Sequence, residues 1–348
     1  MATTPPPKVT IGIPTCNRGA MLERCLRMIL SQTFRDLRVI VVDNASTDAT
    51  PEIVASLHDA RITYVRNTSN VGMTGNWNRC LDLAVESASP FIGLYFDDDR
   101  YAPTIVEREV RFLEEHADAG FVHTAMHYLH VAQGRYKPAV PYPSDRVITA
   151  RELLDDLCFR RLYRINTPSV LIRREAVLKA GRFDLAFHIC PDLDLWWRIL
   201  DHSSMGYIAE PLVVQTVHSQ QTSSSSEAIE KALTQRESLE AVQRALRRMR
   251  EVMPDWDHDL HKRLVLRFFA LEILKAGRSA LLTPHRHMAG RACREALRLS
   301  PSTEIFLKAA LLRLMDHPPG RLAARLATSM RNRWSHAGCR PPGFESMT

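Results

Sequence analysis

Three consecutive carboxylates, Asp97, Asp98 and Asp99, close the apolar run from Phe91 to Phe96. Such a run, with Pro90 before it and Pro103 after it, fits a buried strand covered on both faces. In an open α/β sheet, ligands bind beyond the carboxyl ends of the strands, where this triplet projects. Carboxylates this close repel one another, and a divalent cation among them relieves the repulsion. Hard oxygen ligands with no neighbouring Cys or His favour magnesium or manganese over zinc. The plainer alternative is a solvated acidic turn, and an isolated triplet does not separate the two. A second pair, Asp192 and Asp194, falls in the first turn of a predicted helix opened by Pro191, where carboxylates complement the macrodipole.

The surrounding elements bring such residues together. Lys8 to Pro14 reads as an apolar strand, and the polar turn Thr15 to Arg18 leads into apolar residues at helical spacing from Met21 to Leu30. Leu37 to Asp43 is a second buried strand ending in a carboxylate. Asn44 to Asp48 then supply turn and capping residues before a helix through Pro51, Ile53, Val54 and Leu57. Arg61 to Val65 is a short alternating strand, Asn67 to Gly75 a loop rich in Gly and Asn, and Trp77 to Val85 a helix. Strands alternating with helices imply right-handed crossovers and a mostly parallel sheet, so Thr15, Asp43 and Asp97 to Asp99 converge on one edge. That convergence suits a nucleotide site.

The chain has 348 residues and is 45% hydrophobic, enough for a large α/β domain with an appendage. Its apolar runs are too short to span a bilayer and residues 1–8 lack the apolar core of a signal peptide, so a cytoplasmic location is expected. The seven cysteines are scattered without a Cys-x-x-Cys pair, which argues against a disulfide framework or a zinc site. The net charge of +7 is uneven: residues 261–348 hold 16 Lys and Arg against 5 Asp and Glu, a net of +11, leaving −4 elsewhere. The reading adopted for this basic stretch is a solvated helical face, with no nucleic acid partner.

Five motifs in order, over about the first 220 residues, resemble the family-2 glycosyltransferases of GT-A fold. They are Val9 to Arg18, Val41 to Asp48, Asn70 to Gly72 with Asn76 and Asn78, the Asp97 triplet, and Gly181 to Asp184 followed by Asp192 and Asp194. The resemblance implies an inverting transfer from a nucleotide-sugar donor, a UDP-sugar first among the choices, to a hydroxyl acceptor. It implies that Pro14 and Thr15 flank the base, Asp43 accepts a hydrogen bond from it, and Asn17 and Arg18 lie near the same pocket. Asn70 and Gly72 shape the loop over the donor, Asp97 meets the donor sugar or ribose, Asn76 and Asp98 also belong to the donor-binding set, and Asp99 ligates Mn2+ or Mg2+. A histidine after the last strand, here His218, completes the metal shell in some relatives. Asp192 matches the general base, although Pro191 stands where an acidic residue usually precedes it, and Asp194 competes for the role. A nucleotidyltransferase would normally carry a Gly-rich phosphate loop, absent after Ile13. A non-catalytic nucleotide-sugar-binding module would keep the pocket without a base.

Further strands are expected at Val122 to Tyr128, Thr167 to Arg173 and Val213 to His218. One of Trp196 and Trp197 is expected in the core and the other facing the acceptor. Beyond the serine-rich stretch from Ser219 to Ser226 the sequence reads as helices. One apolar stripe runs through Leu260, Leu264, Phe268, Leu271 and Leu274 and closes at Gly277, and further helices cover Ala289 to Leu299 and Ser302 to Met315. The expected domains are a catalytic region over 1–225, with a nucleotide-sugar half at 1–100 and an acceptor half at 101–225. A helical region over 226–336 and a disordered tail over 337–348 follow. Oligomerisation and peripheral membrane contact through the basic C-terminal helices are the sharper readings of those stripes.

Overall fold

The computed structural model describes residues 5–160, 165–217, 236–280 and 288–316. His218 and the serine-rich stretch after it lie outside them. The described residues form two compact units, 5–152 with 165–217, and 153–160 with the C-terminal helices.

The first unit is built on a ten-stranded sheet flanked by helices. β1 (Val9–Thr15), α1 (Gly19–Leu30), β2 (Leu37–Asp43), α2 (Thr50–Ser56), β3 (Ile62–Arg66), α3 (Gly72–Glu86) and β4 (Phe91–Leu94) alternate as the apolar pattern predicts. The next elements are β5 (Arg100–Tyr101), α4 (Ile105–Glu115), β6 (Ala119–His130), β7 (Arg135–Ala139), β8 (Arg146–Ile148) and α5 (Ala150–Asp155), of which residues 153–155 belong to the second unit. β9 (Val170–Arg173), α6 (Arg174–Ala180), α7 (Pro191–Leu200) and β10 (Ser204–Val217) complete it. The strand order is β3-β2-β1-β4-β9-β6-β10-β5, with β7 on β6 and β8 on β10. The first four strands are mutually parallel, whereas β9 runs antiparallel to both β4 and β6, so the sheet as a whole is mixed.

Burial follows position in the sheet. Every residue of β1 is buried, as a strand covered on both faces requires, while β3 at the edge is half-exposed. Leu22, Cys25, Leu26 and Ile29 of α1, and Ile105, Val106, Val110 and Leu113 of α4, share one core with β1, β2 and β10.

Several elements differ from the sequence expectation. β4 stops at Leu94, so the aspartates occupy the turn between β4 and β5 rather than the strand's end. α3 starts at Gly72, taking in the second half of the expected loop. Thr167–Ser169 form a 3-10 turn before β9, because Pro168 suits a first helical turn better than a ladder. Trp196 and Trp197 are both buried, since α7 is covered on both of the faces they occupy.

In the second unit, α8 (Arg236–Val252), α9 (His258–Ala280), α10 (Met288–Leu299) and α11 (Thr303–Asp316) follow in order. α9 continues through Gly277, where an added Cβ would meet the Ala292 Cβ at 2.7 Å, so this glycine permits close helix packing and is no cap. The buried face of α9 includes Val265 and Phe269, each one position beyond the expected Leu264 and Phe268, together with Leu271, Ile273 and Leu274.

Candidate active site

Strand register explains why residues far apart in sequence meet. β1 pairs with β2 so that Thr15 stands opposite Asp43, and with β4 so that Gly12 stands opposite Leu94. Three residues past that last pair, Thr15 is level with Asp97, and its hydroxyl donates to Asp97 Oδ2 at 2.7 Å. Pro14 is tolerated in this central strand for the same reason. Gly12 accepts from the Tyr95 N–H, so alternate residues of β1 face β4, and the N–H that Pro14 lacks would point where that ladder has already ended.

The triplet is not a solvated acidic turn: Asp97, Asp98 and Asp99 are 2%, 6% and 1% exposed. Arg18 Nη1 bridges Asp97 Oδ1 and Asp98 Oδ2, each at 3.1 Å, and Arg24 donates to the Asp98 carbonyl at 3.2 Å. Asp99 Oδ1 accepts the Thr216 N–H of β10 at 2.9 Å. Tyr101 fixes the entry to the turn, its hydroxyl accepting the Phe96 N–H at 2.7 Å while its ring stacks on Tyr95 at 4.5 Å. Burial pushes the Asp97 carboxyl up to about 6 although Arg18 pulls it down, and burial with the neighbouring Asp98 charge raises Asp99 well above the usual carboxylate range.

The buried carboxylates of the triplet offer hard oxygens of the kind that magnesium and manganese take. The donor set therefore fits a divalent cation chemically. Among the described residues, no three His, Cys, Asp or Glu side chains are gathered as a preformed metal cluster.

Asp43 is fully buried, with Oδ1 accepting the Ser46 N–H at 2.8 Å and Oδ2 accepting the Tyr64 hydroxyl. Asn17 adopts φ 54°, and its side-chain oxygen accepts the Thr47 N–H at 2.7 Å, which ties the loop after β1 to the loop after β2. Sequence reasoning gave Asn44 only a turn and capping role, whereas it is the hub of the next layer. It donates to Asn70 Oδ1 at 2.8 Å and to the Gly72 carbonyl at 3.3 Å. Its own oxygen accepts from Val71 N at 2.9 Å and Asn67 Nδ2 at 3.0 Å. Asn67 and Asn70 were visible within a loop rich in Gly and Asn, but the centre of their network, Asn44, lies in another connection. Gly72 has φ +78° with open space around its missing side chain, so backbone conformation alone calls for glycine there. Asn76 is buried beneath this layer, holding Asn67 at 2.9 Å and the Val42 carbonyl at 3.1 Å, and so supports the loop from within.

Asp192 and Asp194 have different surroundings. Asp194 is 2% exposed and accepts Arg198 Nε at 2.7 Å, and Arg198 in turn binds the carbonyls of Ala180 and Arg182. Asp192 is only partly buried and accepts the Thr167 hydroxyl, with burial pushing its carboxyl up. Asn78 clamps the preceding loop through Phe183, donating to its carbonyl at 3.0 Å and accepting its N–H at 2.8 Å.

A profile described as glycosyl transferase family 2 matches residues 10–177, the span that contains the β1, β2 and β4 edge. These residues form a glycosyl transferase family 2 domain. Among family relatives, the chain is 29% identical over 219 residues to the putative glycosyltransferase EpsE of Bacillus subtilis, covering 60% of this chain and 71% of that one. The crystal structure of S. aureus TarS 1-349 in complex with UDP-GlcNAc superposes with a TM-score of 0.63 at 14% identity, over 97% of this chain and 95% of that one. The mannosyltransferase PcManGT from Pyrobaculum calidifontis, in complex with GDP-Man and Mn2+, gives 0.51 at 19% identity, over 95% and 88%. At these identities the structural likeness is one of fold, and this glycosyltransferase has the GT-A fold.

Proposed function

We propose that this glycosyltransferase is metal-dependent and inverting, moving a sugar from a UDP-sugar to a hydroxyl acceptor with Asp192 as general base. The observation that carries the reading is the buried network of Thr15, Arg18, Asp97 and Asp98 at the carboxyl edge of β1 and β4. The nucleotides named for the two structural neighbours support a nucleoside diphosphate donor, and the Mn2+ named for one supports the cation.

In this mechanism Pro14, Thr15, Asn17 and Arg18 border the nucleotide. Asp43 offers its remaining acceptor capacity to a ring N–H of the base, because a carboxylate has about four lone-pair sites. Asn70, Gly72 and Asn76 shape the covering loop, and Asp97 and Asp98 receive the donor's hydroxyls. Asp99 and His218 would hold the divalent cation, which when bound offsets negative charge developing on the departing diphosphate. The acceptor oxygen attacks the anomeric carbon opposite the diphosphate. As the new C–O bond forms, the bond to the phosphate oxygen breaks with its electron pair, and Asp192 takes the hydroxyl proton.

Two measurements test the reading. Turnover of UDP-, GDP- and dTDP-sugars, with and without manganese, is expected only with a nucleotide sugar and the cation, and absence of donor binding or turnover across the panel overturns it. In titration calorimetry with UDP and manganese, Asp99→Ala is expected to lose cation-dependent binding far more than Asp98→Ala, and equal losses would count against Asp99 as the ligand.

A further inference from the structure

Thr167 was not singled out by its sequence context, yet it sits between a fixed donor and the carboxylate of Asp192. Trp196 Nε1 reaches Thr167 Oγ1 at 3.2 Å, and Thr167 Oγ1 contacts Asp192 Oδ2. An indole N–H can only donate, so the threonine oxygen accepts there and its own hydrogen is turned toward Asp192. Trp196 is itself packed in the core, being 1% exposed and stacked on Phe121 at 5.2 Å.

The backbone beneath Thr167 is equally constrained. Buried Asn166 donates through Nδ2 to the Thr124 carbonyl of β6 at 2.8 Å, and its own carbonyl accepts the Ser169 N–H at 3.0 Å. Ser169 Oγ accepts the Thr124 N–H at 3.1 Å. The 3-10 turn is thus bolted to a central strand, and a hydroxyl held there has the rigid support that an oriented catalytic group requires.

We propose that Thr167 is the positioning residue of the general base: its hydroxyl, oriented by Trp196, fixes the rotamer of Asp192 and stabilises its ionised form. This rests on the reading of Asp192 as base. The hydrogen bond opposes burial, which raises the Asp192 carboxyl, while the Leu193 N–H also lowers it. The other charged and titratable groups nearby are Asp194 and Arg198 on α7, paired with each other, and His123 on β6, which burial holds down at about 4. His127 lies further along β6, and His188 and Cys190 precede α7.

The experiment uses the full chain with Thr167→Val, Thr167→Ser and Asp192→Asn. Turnover is followed as UDP release from the UDP-sugar that the wild type consumes fastest, over a range of pH. The Asp192 carboxyl is titrated by carbon NMR, assigned by its loss in Asp192→Asn. Thr167→Val is expected to lower kcat by up to about 10²-fold at nearly unchanged donor KM, the loss that misplacing a reacting group by about 1 Å can produce. Both the Asp192 titration and the acid limb of the rate profile should move to higher pH, and Thr167→Ser should restore both. A Thr167→Val protein with the wild-type titration and rate, beside a crippled Asp192→Asn, overturns the positioning role alone. Wild-type turnover by Asp192→Asn instead removes the base, and the proposal falls with it.

Discussion

Asp192 and Asp194 lie two residues apart in the first turn of one helix, and their neighbours differ. Asp194 is bound to Arg198, whose guanidinium also caps the carbonyls of Ala180 and Arg182, so removing the carboxylate strands a largely buried cation. Asp194→Ala is expected to cost about 2–3 kcal/mol of stability in denaturant unfolding, the scale of hydrogen bonds to charged groups. Asp192→Asn should leave stability and donor affinity nearly intact while transfer falls by about 10²–10⁴-fold, the usual contribution of a positioned base. A crippled Asp194→Asn beside an active Asp192→Asn would exchange the roles. The residue types of the site were legible from the sequence, down to the order of the motifs. The partners of the two aspartates were half legible: Asp194 and Arg198 stand at helical i, i+4 spacing, whereas Thr167 lies 25 residues from Asp192 and only the fold joins them.

At the level of elements, alternation and apolar runs located the strands and helices around the site because burial on both faces leaves an unmistakable pattern, as in β1 and β2. Boundaries were less legible where a turn borrows apolar residues. Tyr95 and Phe96 continue the apolar run of β4, yet they belong to the turn, where Tyr101 holds Phe96 and Tyr95 donates to buried Glu109 at 2.6 Å. The loop from Asn67 to Gly72 shows the same limit, since its shape depends on Asn44 from another connection. Asn44→Ala removes four hydrogen bonds to that loop and leaves the Val71 N–H without its partner. An expected cost of about 2–4 kcal/mol follows if a few of these groups stay buried and unsatisfied. Faster amide exchange at Val71 and Gly72, with β2 still protected, is the check, and unchanged exchange would show that the loop has other support.

At the scale of the whole chain, the two units draw on different sources of order. The first is tied by strand register, whereas the second depends on helix packing, with small residues Ala289, Ala292, Cys293 and Ala296 of α10 buried in a core shared with α9 and α11. Sequence periodicity revealed those helices but not how they pair, because small apolar residues fit many facing partners. Charge adds selectivity: Glu304 of α11 accepts Arg267 Nε of α9 at 2.9 Å and Lys308 Nζ at 2.6 Å. These hydrogen bonds pull its carboxyl down to about 2 from an ordinary 4.5. A carboxyl lowered on folding adds stability that is complete above its unfolded value and disappears as pH falls through its folded value. Glu304→Gln is therefore expected to weaken the helical unit at neutral pH, and the difference from wild type should shrink as pH drops from about 4.5 toward about 2. Because Glu304 keeps 30% of its side-chain surface in water, added salt should reduce the difference as well. Urea unfolding of both proteins across that pH range, at low and high salt, measures it. A gap between them that stays constant from neutral pH to the bottom of the window would mean that Glu304 acts through packing rather than through its charge.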